Sequence, residues 1–474
     1  MDSLPDITRV AALPASTWRD LGARLREAGF TEDYLEGAWR GGMRAHEPSL
    51  QRPLLLWHVR RRRDRLGYAH RMFVLRDPVA WEGAIEVLGD VLLSELLDAG
   101  LLVQPEPRRV CSAFDLRIYR GLFVLCDDLS HRGDAVYGVG PGTAAFYAPG
   151  ARPEPVASAL DLGCGAGGAA LWLARHAERV VATDINPRAL AFVAINAALN
   201  LVDNIEVRAG DLFEAVAGES FDFIISQPPY VPRAPGVRAA TYLFAGAQGH
   251  ELVSRVALEA PRYLNKDGRV LLVFDHPIMK GDGRREAVIP FNPSMRAVVI
   301  RGAEVDADAY AIRHASPELR RGVEAFDAAS TAMREHLESV GIRGLCPAIC
   351  VMEHAARGEG YLDVVCAGTS LWNEVSARTL DRMMANRALL HRSGGEIPRG
   401  RVHIPDASIV VRSFAQDGRP SGKVYLGLPP DYLFPSLELD EAEWEALKAL
   451  HGLPLPAEDV EVVVKAARVG LIDA

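Results

Sequence analysis

Residues 159–230 constrain this chain more than any other stretch. An apolar run, residues 156–162, stops abruptly at Gly163, Gly165 and Gly167, and residues 169–176 follow with helical spacing. That pattern predicts a buried parallel strand turning tightly into a helix, whose missing side chains and free N–H groups admit a ligand close to the backbone. A second apolar run, residues 179–183, ends in Asp184-Ile185. The acid falls about twenty residues beyond the first glycine, where a carboxylate can take both hydroxyls of a ribose. A third run, 205–207, leads into Gly210-Asp211-Leu212, and a fourth, 221–225, ends near Gln227-Pro228-Pro229-Tyr230. In an open α/β sheet such strand ends share one crevice.

The glycine loop alone fits two ligands. Gly163, Gly165 and Gly168 satisfy the dinucleotide pattern G-x-G-x-x-G. Asp161, however, places a carboxylate just before the loop, which suits a cationic group such as the amino acid end of S-adenosylmethionine and would repel a diphosphate. Asp211 offers an acceptor to an adenine amino group. Together, Asp161-Leu-Gly163-Cys-Gly165-Ala-Gly167, Asp184, Asp211 and the Pro-Pro-Tyr tip resemble a class I S-adenosylmethionine-dependent methyltransferase. More narrowly they resemble the Asn-Pro-Pro-Tyr/Phe branch, which includes release-factor glutamine methyltransferases and ribosomal-RNA base N-methyltransferases. Residues 131–368 are similar to the small-methyltransferase group.

The resemblance implies a doubly wound, seven-stranded Rossmann-like α/β domain. It implies S-adenosyl-L-methionine as cofactor, leaving S-adenosyl-L-homocysteine, held by Asp161, Gly163, Gly165, Gly167, Asp184, Ile185, Asp211 and Leu212. The acceptor falls to Gln227, Pro228 and Tyr230. In that branch an amide oxygen and a proline carbonyl accept the hydrogens of a planar NH₂ group while the aromatic ring stacks on its face. Position 227 departs from the pattern, because Gln stands where Asn is usual. The extra methylene moves the amide by about 1.5 Å, so a secondary amine, carboxylate or hydroxyl acceptor becomes credible. For an oxygen acceptor, His276 of Asp275-His276, expected just after the fifth strand, is the candidate base. The expected function is N-methylation of a small molecule, peptide or protein. The alternatives are a ribosomal- or transfer-RNA base N-methyltransferase, an O-methyltransferase using His276, or a non-catalytic cofactor-binding protein.

At 474 residues the chain is too long for one core. Three regions are expected: 1–130, helical and winged-helix-like; 131–372, the methyltransferase domain with an insertion at about 276–330; and 373–474, an α+β extension. No apolar run reaches eighteen residues and the start, Met1-Asp2-Ser3-Leu4-Pro5, is acidic, so a cytoplasmic protein with no membrane partner is expected. The six cysteines form no C-x-x-C pair and no metal site is expected. A net charge of −9 argues against a large open nucleic-acid groove. Arg60-Arg61-Arg62-Arg63 is the local exception, read either as an RNA- or peptide-recruiting patch or as a face with intramolecular partners.

Finer expectations follow from punctuation. Residues 16–29 and 90–99 read as helices ended by Gly29 and Gly100, and Asp77-Pro78 as a helix start. Residues 110–116 and 122–125 read as one hairpin. Tyr137 and Thr143 are candidate cofactor neighbours, while Tyr242 and Phe244 are expected to wall the acceptor pocket. Residues 317–340 read as helical, and 345–353 with 361–367 as the antiparallel sixth and seventh strands. The insertion could serve as a lid or as a brace. In the last region, Ser393-Gly-Gly395 reads as a break and residues 439–450 as a helix.

Overall fold

The computed structural model describes residues 4–34, 51–128, 133–140, 142–143, 146, 155–235, 242–281, 288–366, 377–391, 401–414, 420–428, 436–453 and 461–473. At its centre is a nine-stranded sheet. Five of its strands are parallel as expected: four carry apolar runs buried in the core, and the fifth, Ile205–Ala209, is a half-buried edge strand with charged side chains.

The N-terminal region contributes short strands first: β1 (Val79–Ala80), β2 (Leu102–Glu106) and β3 (Arg109–Ser112) form one antiparallel sheet, and β4 (Asp115–Tyr119) pairs with β5 (Leu122–Cys126). The expected single hairpin is thus two, divided where Ser112 Oγ takes the Phe114 N–H and turns the chain. The central sheet follows with β6 (Val156–Leu162), β7 (Ala177–Asp184), β8 (Ile205–Ala209), β9 (Phe221–Ser226), β10 (Leu264–Met279), β11 (Met295–Arg301), β12 (Val305–Asp306), β13 (Ile342–His354) and β14 (Tyr361–Cys366). Spatially the order is β14-β11-β13-β10-β9-β6-β7-β8, with β12 beside β13. Strand order reverses at β6, so the ends of β6, β7, β8 and β9 face one crevice.

Several expectations need correction. The sheet has nine strands rather than seven. The sixth strand in chain order is β11, inside the supposed insertion; β13 is antiparallel to β10 and β11, and β14 is an additional edge strand parallel to β11. Asp77 caps no helix. It is buried between Arg60 and Arg71, and the next helix starts at Trp81 and runs to Ala99 with a kink at Gly89 (φ 70°, ψ 166°). The helix after the glycine turn is Gly168–Leu173, shorter than expected. Helical structure in the insertion begins at Ala307 and breaks at Gly322. Leu439 belongs to a strand, Ser436–Asp440, and Asp440 and Glu443 form the capping box of the helix Glu441–Leu450. Ser393-Gly-Gly395 lies outside the described residues.

The arginine run has partners within the chain. Arg60 pairs with Asp77 at 2.5 Å and Arg62 with Asp64 at 2.7 Å, while Arg61 lies over Trp57 with its guanidinium carbon 3.9 Å from the ring centroid. Among the described residues no helix is long and apolar enough to cross a membrane.

The N-terminal region is fastened to the central sheet through the helix Pro187–Leu199. Asn196 Oδ1 accepts the Leu125 N–H (2.8 Å), and its Nδ2 donates to the carbonyls of Leu125 and Ala166 (both 2.9 Å). Asn200 treats Phe123 in the same way, at 2.9 and 2.6 Å. Four residues of helix advance about 6 Å and two residues of strand about 6.8 Å, so amides at 196 and 200 meet alternate residues along the open edge of β5. Arg188 adds a two-point pair to the buried Asp127, at 2.7 and 2.6 Å. At its other end, the helix Ala377–Leu390 packs Leu380, Met383 and Met384 onto the sheet core, and Arg269 of β10 pairs with Asp381 at 2.6 Å. The remaining C-terminal elements close a core of their own around Val424, Leu426, Trp444, Leu447 and Val463.

Replacing Asn196 by Leu should strip three buried backbone groups of their partners at once. The expected loss is about 2–4 kcal/mol of stability, read as a lower urea midpoint.

Candidate active site

The crevice at the strand ends holds a cavity of about 340 Å³, within the range of small-molecule sites. Ten of the twelve residues singled out from sequence line it: Asp161, Gly163, Gly165, Asp184, Ile185, Asp211, Leu212, Gln227, Pro228 and Tyr230. Tyr137, Thr143 and Tyr242 line it too, while Phe244 packs instead into the cluster around Val231 and Tyr310. Sequence reasoning missed Phe146, Asn186 and Leu252, which carry no local signal beyond ordinary core or cap chemistry.

The glycine turn is more committed than its sequence suggests. The Gly163 and Cys164 N–H groups both donate to the Thr183 carbonyl at 2.9 Å. Gly165 N–H donates to Asp184 Oδ2 at 2.9 Å, Ala166 N–H to the Tyr137 carbonyl at 3.1 Å and Gly167 N–H to the Cys164 carbonyl at 2.8 Å. The expected free N–H groups are therefore engaged by the protein. What the turn offers a ligand is bare backbone: a Cβ at Gly163 (φ +75°) would point into open space. Such a cradle lacks the row of donors a diphosphate needs, which counts against the dinucleotide reading. Gly167 is not in the lining. It holds φ +80° and its face meets Val193, so its place in the pattern comes from helix packing.

Three carboxylates divide the rest of the cleft. Asp161 is 4% exposed and its Oδ2 has no hydrogen-bond partner, while burial pushes its pKa up to about 7. The Ala170 N–H serves the carboxylate from the helix side, and a buried carboxylate with one oxygen left unpartnered at a glycine turn fits the ammonium end of S-adenosylmethionine. Asp184 Oδ1 accepts the Asn186 N–H at 2.8 Å; burial raises its pKa against these backbone bonds. It therefore holds the loop as well as lining the cavity. Asp211 is half-exposed and pairs with Arg255 at 3.1 Å. The following Leu212 takes φ 50°, a left-handed conformation that costs a non-glycine residue about 1–2 kcal/mol. That bend seats Leu212 and the exposed Ile185 around the end of the cleft where an adenine ring would lie.

The tip at residues 227–230 is fixed from behind. Ser226 Oγ donates to the Leu162 carbonyl at 2.7 Å, locking β9 to β6 just before the tip. Gln227 Nε2 donates to the Tyr230 hydroxyl at 3.4 Å. Tyr137 and Tyr242 stack at 6.0 Å and 18° across the opening. Gly249, at φ +85°, lies so close that a Cβ there would fall 2.4 Å from the Tyr230 carbonyl.

His276 requires a correction. Asp275 and His276 do not follow the fifth strand; they lie within β10, which runs to Met279. His276 is 1% exposed and outside the cavity lining. Its Nδ1 sits 2.7 Å from the Pro277 carbonyl, its Nε2 accepts the Val288 N–H at 3.4 Å, and burial lowers its pKa to about 4. A neutral imidazole with both nitrogens engaged is no base for the cleft. Asp275 faces Tyr310, which donates to it at 3.0 Å.

If Asp161 receives the ammonium group, cofactor affinity should depend on its ionisation. Its pKa is raised, so its carboxyl is protonated below about pH 7 and charged above. Calorimetry with S-adenosylhomocysteine should show affinity rising about tenfold from pH 6 to pH 8 and then levelling. Asp161→Asn should flatten that profile at the weaker value.

Residues 150–281 match the family model described as the methyltransferase small domain. Over 134 residues the chain is 40% identical to the release factor glutamine methyltransferase of Cereibacter sphaeroides, covering 26% of this chain and 48% of that protein. It is 38% identical over 135 residues to the ribosomal protein uL3 glutamine methyltransferase of Bordetella pertussis (26% and 45%). Against the release factor glutamine methyltransferase of Aquifex aeolicus it is 35% identical over 128 residues (25% and 46%). The chain spans about half the length of the curated relatives it matches. Sheet, crevice and family match agree: at its centre the chain carries a class I S-adenosylmethionine-dependent methyltransferase domain.

Proposed function

We propose that the chain methylates a nitrogen on a protein acceptor, a glutamine side-chain amide being the acceptor class the tip suits best. One observation carries this reading: Gln227, Pro228 and Tyr230 open into the same cavity as Asp161, Asp184 and Asp211. The names of the relatives, all glutamine methyltransferases acting on release factor or ribosomal protein, point the same way.

The bound cofactor supplies an electrophilic methyl group on a positively charged sulfur. Transfer is an in-line displacement, so the protein's part is placement of the acceptor nitrogen. Gln227 Oε1 and the Pro228 carbonyl are the acceptors available at the tip for the hydrogens of a planar amide. The two prolines leave a carbonyl free while fixing the turn. Burial drives the Tyr230 hydroxyl well above its ordinary range, so it stays protonated and serves as a ring wall and a partner for Gln227 rather than as a base. Phe146, Leu212 and Leu252 keep the lining apolar, which favours a step that disperses charge. The proton lost from nitrogen passes to solvent.

The O-methyltransferase reading loses its base with His276. The nucleic-acid reading loses support because Arg60, Arg61 and Arg62 already have intramolecular partners.

The deciding experiment is transfer of labelled methyl from S-adenosylmethionine into a dialysed bacterial extract, separated into metabolites, proteins and RNA. Label should appear in the protein fraction and, after exhaustive proteolysis, as N-methylated glutamine. Label in RNA would move the assignment to a base methyltransferase, and no label despite cofactor binding would leave a binding protein. Tyr230→Phe, which removes one hydrogen bond and keeps the ring, should lower kcat by about 2- to 10-fold with cofactor affinity unchanged.

A further inference from the structure

Gln227 carries one methylene more than the Asn expected from the resemblance, and the structure shows where that length goes. Gly142, buried in the segment that leads from the N-terminal region to the sheet, lies directly against its amide. A Cβ built on Gly142 would fall 2.1 Å from Gln227 Nε2, 2.8 Å from Cδ and 3.0 Å from Oε1. All three of its nearest atoms belong to this one amide group. From the other side the same amide reaches Tyr230, with Nε2 3.4 Å from the hydroxyl. Thr143, the next residue, lines the cavity beside Gln227. The side chain is therefore held flat between the bare backbone at 142 and the tyrosine hydroxyl.

We propose that Gly142 is a positioning residue for the acceptor: it provides the room into which the longer Gln227 folds back, so that the amide remains at the tip rather than projecting into the acceptor space. The proposal deepens the function proposed above and rests on it. Gly142 and Gln227 act as a complementary pair, in which a small residue at 142 goes with a long amide at 227. The acceptor class then stays a planar NH₂ group in spite of the substitution at 227. A long amide against a bulkier residue 142 would have to swing into the cavity and displace the acceptor.

Gly142 lends itself to a clean test. It is not among the glycines at positive φ, so alanine meets no backbone strain there. The atoms an alanine methyl would meet are the end of one flexible side chain. Ordinary contact distance is about 3.5 Å, so Gly142→Ala should leave the fold intact and push the Gln227 amide aside by more than about 1 Å. A displacement of that size at a reacting centre lowers transfer by about 10²-fold. Gln227→Asn shortens the amide and removes the conflict. Gly142→Ala combined with Gln227→Asn should therefore regain most of the activity of Gln227→Asn alone.

Three readouts decide it. Labelled-methyl transfer into the protein fraction of the extract is measured for wild type, both single variants and the double variant. S-adenosylhomocysteine affinity is measured by calorimetry for the same four proteins. The Gln227 side-chain NH₂ correlation is followed in glutamine-labelled protein, where the chain holds only five glutamines and Gln227→Asn assigns the signal. The expected result is unchanged S-adenosylhomocysteine affinity throughout, a shifted Gln227 correlation and lost transfer in Gly142→Ala, and recovery in the double variant. An unmoved correlation in Gly142→Ala overturns the proposal, as does a double variant no more active than Gly142→Ala. Loss of S-adenosylhomocysteine affinity in Gly142→Ala also overturns it, since residue 142 would then act on the cofactor site. A wild type that transfers no methyl refutes the proposed function instead, and the Gln227 correlation then still decides the pairing.

Discussion

The site depends on how the end of β7 holds the glycine turn after β6. Thr183 takes two successive N–H groups on its carbonyl and Asp184 takes the third on its carboxylate, while Tyr137 receives the fourth. Satisfying these donors inside the protein turns a flexible glycine sequence into a fixed shape, and each buried donor left unpaired would cost about 1–3 kcal/mol. The turn has few donors left for an anion and a bare surface for something flat and cationic. Asp161, buried without a partner for one oxygen, completes that preference. Electrostatics and geometry therefore select the same ligand class.

The Tyr137 carbonyl comes from the segment that follows the N-terminal region, so the cofactor turn is not a property of the central sheet alone. Asn196 ties the same turn, through the Ala166 carbonyl, to Leu125 of β5. Arg188 and Asp127 add a buried pair, and Asp127 in turn accepts the Val136 N–H at 2.8 Å. The N-terminal hairpin, the helix Pro187–Leu199 and the cofactor turn thus share one hydrogen-bond network. Groups in one such network are energetically coupled, so the first region is part of the scaffold of the cleft whatever else it recognises.

At the acceptor end, glycines let the backbone approach side chains and carbonyls closely. Gly249 backs the Tyr230 carbonyl, and Gly142 backs the Gln227 amide. The helices Ala307–Ala315 and Val323–Ser339 support the same loop, with Tyr310, Met333 and Leu337 packed around Val231 and Tyr230, and His336 Nε2 2.7 Å from the Ala247 carbonyl. These helices of the insertion are thus packed against the loop that follows the tip. Rigid support of this kind is what a displacement reaction needs, because its rate follows placement more than proton transfer.

Strand tips were legible in the sequence because their signals are local. Apolar runs ending in Gly163, Asp184, Asp211 and Gln227 are read from neighbours a few residues apart, and parallel strands carry those ends to one crevice by topology alone. Residues 288–300 of the insertion alternate weakly enough to suggest an extra strand, and β11 lies there, but its place between β13 and β14 was not legible, since it depends on pairing with residues far along the chain. His276 looked catalytic because the fifth strand was expected to end at Phe274; two further residue pairs with β13 carry it into the core, where burial keeps its imidazole neutral. Asp77 looked like a cap until Arg60 and Arg71 claimed it. The sequence by itself determined the sheet class, the order of the strand ends and the chemistry those ends can offer. Only the tertiary structure decided which of those groups keep a free lone pair and how much room surrounds each one. Both depend on what distant segments place within a few ångströms, as Gly142 does for Gln227.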